Sequence, residues 1–215
     1  NTVRKIRICA MTTTNITFYD SNAEDCSRQY NSLSFEDVHG NWAEFIPLKG
    51  TALDIGCGSG RDASALANRG LNVIGVDPSN KLLEIARTNF ATPSIEWIKD
   101  SLPLLEQVNK LDIKFNLILL SAVWMHIPVA NREQSFRKLA NLLKTNGVLI
   151  ITLRHGESPD KRIMYPVIKE EITILAKQVG LSLCRLNAPK QEDKLKRDSV
   201  HWETIVLRLE DAVPS

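Results

Sequence analysis

Ala52-Leu53-Asp54-Ile55-Gly56-Cys57-Gly58-Ser59-Gly60 is an apolar run that ends on three alternating glycines. Such a run, passing directly into glycine, reads as a buried strand that turns sharply into a helix. The helix follows at once, because Arg61–Asn68 is rich in alanine and Gly70 stands where a C-terminal cap belongs. One glycine suffices for a tight turn. Three at alternate positions point to a backbone that approaches a ligand closely.

Working outward, the same alternation repeats. Val73–Val76, Ile95–Ile98, Phe115–Leu120 and Val148–Leu153 read as strands. Between them, Ser79–Asn89 (with Ser79 as N-cap), a short piece around Leu104–Val108, and Arg132–Leu143 read as helices. Ile168–Val179 is a further helix, closed by Gly180. Upstream, Phe35, Val38, Trp42, Phe45 and Ile46 recur every three or four residues or adjoin, which predicts one amphipathic helix stopped by Pro47. The last two strands, Leu181–Leu186 and Trp202–Leu209, are joined by a polar stretch (187–200) without a helical pattern. A parallel crossover would need a helix there, so the final strand is expected to run antiparallel. The prediction is an α/β fold: a doubly wound, seven-stranded, mostly parallel sheet with an antiparallel last strand and helices on both faces. Residues 35–215 form this domain, and residues 1–34 are an N-terminal segment positioned to act as a partly flexible lid.

Bulk properties set the outer bounds. The chain has 215 residues, enough for one domain with a real core, and its 43% hydrophobic and 24% charged content is that of a soluble globular protein. With 27 basic and 25 acidic side chains, nothing in the charge calls for a nucleic-acid partner. No apolar run approaches the ~20 residues that span a bilayer. Arg4, Lys5 and Arg7 are not followed by the apolar core of a signal peptide. Cys9, Cys26, Cys57 and Cys184 are scattered, so neither a disulfide framework nor a metal site is expected, and a reducing cytoplasm fits best.

Open α/β sheets bind ligands at the carboxyl ends of their strands, and the glycines lie there. Gly58-Ser59-Gly60-Arg61-Asp62-Ala63 also fits the dinucleotide fingerprint. Against that, Asp54 sets a carboxylate just ahead of the glycines, where a pyrophosphate is repelled and a cationic ligand is welcome. No lysine follows to make a phosphate-binding loop. Asp77 ends the second strand and can accept both ribose hydroxyls of either kind of nucleoside cofactor. Asp77-Pro78 can equally start a turn, and Asp100-Ser101 can cap a helix.

Asp54-Ile55-Gly56-Cys57-Gly58-Ser59-Gly60 resembles motif I of the class I S-adenosylmethionine-dependent methyltransferases, a Rossmann-like family, and most closely its small bacterial type. The resemblance runs from Thr51 through the strand after Gly147. Val73-Ile74-Gly75-Val76-Asp77 looks like the family's ribose-binding strand end, and Ile98-Lys99-Asp100-Ser101-Leu102 like its adenine loop. Leu143-Lys144-Thr145-Asn146-Gly147-Val148-Leu149 is similar to its turn before the fifth strand, with Thr145 and Asn146 as departures. The resemblance implies S-adenosylmethionine as cofactor and S-adenosylhomocysteine as product. It places Gly56, Cys57, Gly58, Gly60 and Arg61 around the methionyl and ribose parts, with Asp54 on the ammonium. Asp77 and Pro78 would hold the ribose, Asp100, Ser101 and Leu102 the adenine, and Ser121 would close the site at the fourth strand.

The acceptor pocket is expected on the same edge. His126, His155 and His201 follow or precede strands that open there, and each is a candidate general base. Each can also be an ordinary packing residue. Trp124 and Trp202 read as pocket walls or as core. Arg154 reads as an anchor for an acidic substrate or as the partner of Glu203. Tyr19, Arg28, Tyr30 and His39 are positioned to fold over the opening. The Asp/Asn-Pro-Pro-Tyr/Phe motif of amino-directed DNA methyltransferases is missing after the fourth strand, as is the Pro-Cys pair of cytosine-C5 enzymes. Lys190, Lys194, Lys196 and Arg197 are interleaved with Glu192, Asp193 and Asp198, which reads as a solvated loop of mixed charge. The predicted function is methyl transfer to an oxygen or nitrogen of a small molecule, by a monomer or homodimer. The competing readings are an RNA, protein or peptide methyltransferase, a catalytically inactive S-adenosylmethionine-binding protein, and a Rossmann dehydrogenase.

Overall fold

In the computed structural model, which describes residues 12–186, 191–195, 197 and 199–210, two helices open the described part of the chain. They are α1 (Thr13–Ser21), which lacks hydrophobic periodicity, and α2 (Ala23–Asn31), whose Ala23, Cys26 and Tyr30 recur at helical spacing. Helix α3 (Phe35–His39) opens on a capping box: Ser34 Oγ accepts from the Asp37 amide, and the Ser34 amide donates to Asp37 Oδ2. The single helix expected through Ile46 ends at His39. Gly40–Phe45 tightens into a 3-10 turn, in which residues three apart eclipse. That geometry suits the bond from Trp42 Nε1 to His39 Nδ1 (3.1 Å).

From there the chain alternates as its pattern predicts. It forms β1 (Gly50–Ile55), α4 (Arg61–Asn68), β2 (Leu71–Asp77), α5 (Asn80–Asn89), β3 (Ile95–Lys99) and α6 (Glu106–Lys110). Next come β4 (Phe115–Ser121), α7 (Val129–Leu142), β5 (Leu143–His155), α8 (Lys169–Gln178) and β6 (Leu181–Leu186). A two-residue β7 (Gln191–Glu192) and the long β8 (His201–Leu209) complete it. The sheet order is β3-β2-β1-β4-β5-β8-β6, with β7 beside β8. β8 runs antiparallel to both β5 and β6, and the neighbours from β3 to β5 are parallel. Strand order reverses between β1 and β4, which makes a crevice at their carboxyl ends.

Alternation sorts the strand residues onto two buried faces. Leu53, Ile55, Ile118, Leu120, Leu149 and Ile151 face one core, shared with α7 and α8. Ala52, Leu117, Leu119, Ile150 and Val206 face the other, closed by Phe35, Trp42 and α4. Each fully buried large side chain contributes about 1.5–3 kcal/mol. A smaller apolar cluster of Tyr19, Ala23, Cys26 and Leu82 holds α1 and α2 down on α5. Among the described residues, no helix is long and apolar enough to cross a membrane.

Candidate functional site

The glycine loop is tied to the end of β2. The amides of Gly56 and Cys57 both donate to the Val76 carbonyl (2.8 and 3.0 Å). The Gly58 amide donates to Asp77 Oδ2 (3.0 Å), and the Ser79 amide to Asp77 Oδ1 (2.8 Å). Gly58 and Gly60 both have positive φ (+54° and +90°), for different reasons. A Cβ on Gly60 would sit 2.6 Å from the Trp97 ring, so that glycine serves packing. A Cβ on Gly58 would meet the Tyr30 ring at an ordinary contact distance of 3.7 Å, so there it is the positive φ, and not a clash, that calls for glycine.

Two carboxylates flank this loop. Asp77 is buried, and burial pushes its carboxyl up to about 6 even though two backbone amides oppose the shift. Asp54 is 1% exposed, and neither of its oxygens has a hydrogen-bond partner among the described residues. Burial, with help from Asp62 and Asp77, holds its carboxyl well above the usual range, and Arg61 only partly offsets this. An orphaned carboxylate behind the glycines fits a ligand that brings positive charge, and it does not fit a pyrophosphate.

The residues expected around a cofactor divide by position. Gly56, Cys57, Gly58 and Arg61 line the cleft, with Asp77 and Pro78 beside them. Asp100, Ser101, Leu102 and Ser121 line it farther along. Asp54 and Gly60 stand behind this surface. Asp100 also caps α6, accepting from the amides of Ser101 (2.8 Å), Gln107 (2.7 Å) and Val108 (3.0 Å). Beneath Arg61 lies a network that no motif signals. Trp42 Nε1 is a donor only, so His39 Nδ1 must accept, which leaves His39 Nε2 to donate to Asp62 Oδ2 (2.9 Å). Arg61 grips the same carboxylate through Nε and Nη2 (2.7 and 3.0 Å). Burial would raise Asp62, but His39 and Arg61 outweigh it and hold the carboxyl far below its usual range.

The expected acceptor residues divide as well. Tyr19, Tyr30, His126, Arg154 and Trp202 line the cleft. Trp124 is wholly buried in the core, edge-on to Phe136 (5.5 Å). His155 and His201 stack at 4.5 Å, and Glu203 Oε2 lies 2.8 Å from His155 Nε2. Strand register puts this trio on the other face of the sheet: Arg154 pairs with Trp202, His155 with His201, and Leu153 with Glu203. For the same reason Arg154 and Glu203 do not meet, which overturns that pairing. Arg154 instead donates to the carbonyls of Gly156 (3.0 Å) and Glu157 (3.1 Å) and to the Met164 sulfur (3.4 Å). Arg28 is exposed, paired with Asp25, and does not line the cleft.

His126 is enclosed by the N-terminal helices. Asn15 Nδ2 donates to the Ile163 carbonyl (2.9 Å) and lies 3.1 Å from His126 Nδ1; Asn15 Oδ1 accepts from the Ile163 amide (2.7 Å). His126 Nδ1 also lies 3.2 Å from the Ile163 carbonyl, and Nε2 lies 3.1 Å from the Tyr19 hydroxyl, which accepts from Arg162 Nη1 (3.1 Å). Burial pushes the imidazole down to about 4, so it is neutral and weakly basic at pH 7. Asn15 and Arg162 carry no sequence signal, because their roles arise only from contacts across more than a hundred residues.

The mixed-charge stretch is not simply solvated. Asp193 is buried, where it accepts from Arg197 Nε (2.8 Å), Arg197 Nη2 (2.6 Å) and Trp202 Nε1 (2.9 Å). Burial alone would raise its carboxyl, but these donors bring it down to about 2. Lys194 and Arg197 line the cleft. Lys190, Lys196 and Asp198 lie outside the described residues.

A family model described as a methyltransferase domain matches residues 52–147. The chain is 32% identical over 124 residues to a trans-aconitate 2-methyltransferase of Azoarcus sp. (strain BH72), a match covering 55% of this chain and 46% of that one. It spans about half the length of the curated relatives it matches. Its fold is similar to that of a TehB-like S-adenosylmethionine-dependent methyltransferase from Corynebacterium glutamicum (TM-score 0.65, 21% identity, 88% of this chain and 99% of that one). It is also similar to that of the cyclase SpnF (TM-score 0.71, 13% identity, 95% and 99%). One fold therefore serves more than one reaction.

Proposed function

We propose, on the premise that this chain belongs through residues 52–147 to the class I S-adenosylmethionine-dependent methyltransferases, that it transfers a methyl group from S-adenosylmethionine to a small molecule. The observation that carries this reading is Asp54, a buried carboxyl whose oxygens have no hydrogen-bond partner of ordinary geometry among the described residues, behind a loop tied to Asp77. Bound there, S-adenosylmethionine supplies a methyl group already activated on a sulfonium. Asp54 would balance the ammonium through the loop, Asp77 would accept the ribose hydroxyls, and the loop from Asp100 to Leu102 would face the adenine. Gly58 and Tyr30 both line the cleft in which the ligand would lie. Because the methyl is activated, what remains for the protein is to position the acceptor and exclude water. Helices α1 and α2, folded over the cleft, support a small acceptor over a polymer.

Titration calorimetry tests this reading. S-adenosylmethionine and S-adenosylhomocysteine should bind where NAD does not, and Asp77→Ala should weaken both at least tenfold, the loss expected for a charge-assisted hydrogen bond of roughly 1.5–3 kcal/mol. Preferential binding of NAD, or an unchanged affinity in Asp77→Ala, would overturn it.

A further inference from the structure

At the far end of the cleft from Asp77, the cations and carboxylates do not balance. Arg162 is matched by Asp160, through Nε (2.8 Å) and Nη2 (2.6 Å). Arg197 is matched by Asp193, and Lys194 lies near enough to Asp37 to lower its carboxyl. Arg154 has no carboxylate in contact: it is 6% exposed, lines the cleft, and among the described residues bonds only to two carbonyls and a thioether, while the fields of Asp193 and Asp160 are outweighed by those of Arg197 and Arg162. A buried guanidinium with only neutral partners is costly in the free protein, and an anionic ligand in the cleft would relieve that cost. Trp202, opposite Arg154 in the sheet, forms a flat wall beside it, its indole fixed by Asp193.

Among the described residues, the same end of the cleft lacks a good base. Both ring nitrogens of His126 are engaged, the Tyr19 hydroxyl is held by His126 and Arg162, and His155 and His201 lie on the other face. An acceptor suited to this site arrives already deprotonated.

We propose that the acceptor is a carboxylic acid whose carboxylate is bound by Arg154, and that this carboxylate itself is methylated to a methyl ester. The proposal rests on the methyltransferase reading. A carboxylate oxygen forms the bond to the donor's methyl carbon as the carbon–sulfur bond breaks. The bonding pair passes to sulfur, and no proton changes hands. One unmatched guanidinium suits the single charge of a carboxylate better than a phosphate monoester, which carries about −1.5 to −2. The planar two-oxygen group also fits the guanidinium edge.

The test begins with protein loaded with S-adenosylhomocysteine, titrated with benzoate, succinate and tricarballylate, with the corresponding amides, and with phenyl phosphate. The acids should bind at least tenfold more tightly than the amides. Turnover with methyl-labelled S-adenosylmethionine should give label that mild alkali releases as methanol. Arg154→Gln should weaken acid binding at least tenfold with S-adenosylhomocysteine affinity within twofold of wild type, and Arg154→Lys should recover part of the loss. Equal binding of acids and amides, preference for the phosphate, alkali-stable label, or acid binding indifferent to Arg154→Gln would each overturn the proposal. The acid-against-amide comparison uses the unmodified protein, so it decides the matter even where a variant misfolds. Failure to bind S-adenosylhomocysteine at all would overturn the methyltransferase reading instead, which keeps the two failures distinct.

Discussion

Asp77 is asked for two incompatible things. As a buried carboxyl with its pKa lifted to about 6, it is protonated in the free protein below that pH, whereas a pair of ribose hydroxyls needs the anion. The raised folded value means that its stabilising contribution is present below about pH 4, the unfolded value, and is lost as pH rises through about 6. His126, held down to about 4, contributes the opposite slope, so the Asp77 effect is read against Asp77→Asn: across that window the wild-type protein should lose stability relative to the variant in pH-dependent urea unfolding. Affinity for S-adenosylhomocysteine should move the other way, about tenfold weaker at pH 5 than at pH 7.5, since only about a tenth of the carboxyl is ionised one unit below its pKa. Calorimetry across pH checks this, and Asp77→Asn should flatten the step. Asp77 was legible in the sequence because it ends a strand beside a glycine loop. Arg162 and Asn15 were not, because their environment is made by segments remote in sequence. Asp100 was legible as a helix cap, and its bonds to α6 are present while it also lines the cleft.

The elements most visible in sequence are those with a single strong period, such as β1, β4 and α4. Helices α1 and α2 escaped notice because Thr, Asn, Ser and Asp favour caps and turns over helix interiors, and the apolar contacts of α1 are few. Tertiary bonds hold α1 in place, and Asn15 makes the central ones. Replacing Asn15 with Ala should cost about 2 kcal/mol by stranding the Ile163 amide and carbonyl, read from urea unfolding, and should open α1 to proteolysis. A second joint lies between α7 and α8. Arg132, with a side chain 3% exposed, bonds to the carbonyls of Ile127 (3.2 Å) and Pro166 (3.0 Å) and to Glu171 (2.6 Å). Glu171→Ala should destabilise by about 3 kcal/mol in the same assay, because it leaves a buried guanidinium without its carboxylate. Element boundaries were harder to read. β5 starts at Leu143, not Val148, because Leu143 already pairs with Phe115 across a shift in register.

For the molecule as a whole, the two halves of the cleft carry unlike charge: carboxylates gather near the glycine loop, and an excess cation sits beside β8. Filling the first half should stabilise the entire fold by linkage, since the ligand binds the folded chain alone. At a hundredfold excess over Kd the gain is about 2.7 kcal/mol. For a chain of this length that corresponds to a rise of roughly 5–10 °C in Tm with S-adenosylhomocysteine. NAD at the same concentration should leave the melting curve unmoved. The doubly wound sheet and its antiparallel last strand were readable in the sequence, because the polar stretch 187–200 carries no helical pattern that would support a parallel crossover.

The position of β8 between β5 and β6 bears on how the chain is made. A ribosome delivers β6 before β8, yet β6 has no described neighbour in the sheet except β8. The emerging polypeptide must therefore hold back a finished segment, with the edge of β5 uncovered, until the last strand arrives to be threaded between them. During that interval the growing chain exposes an unpaired apolar edge, the kind of surface that chaperones cover and that stray strands join.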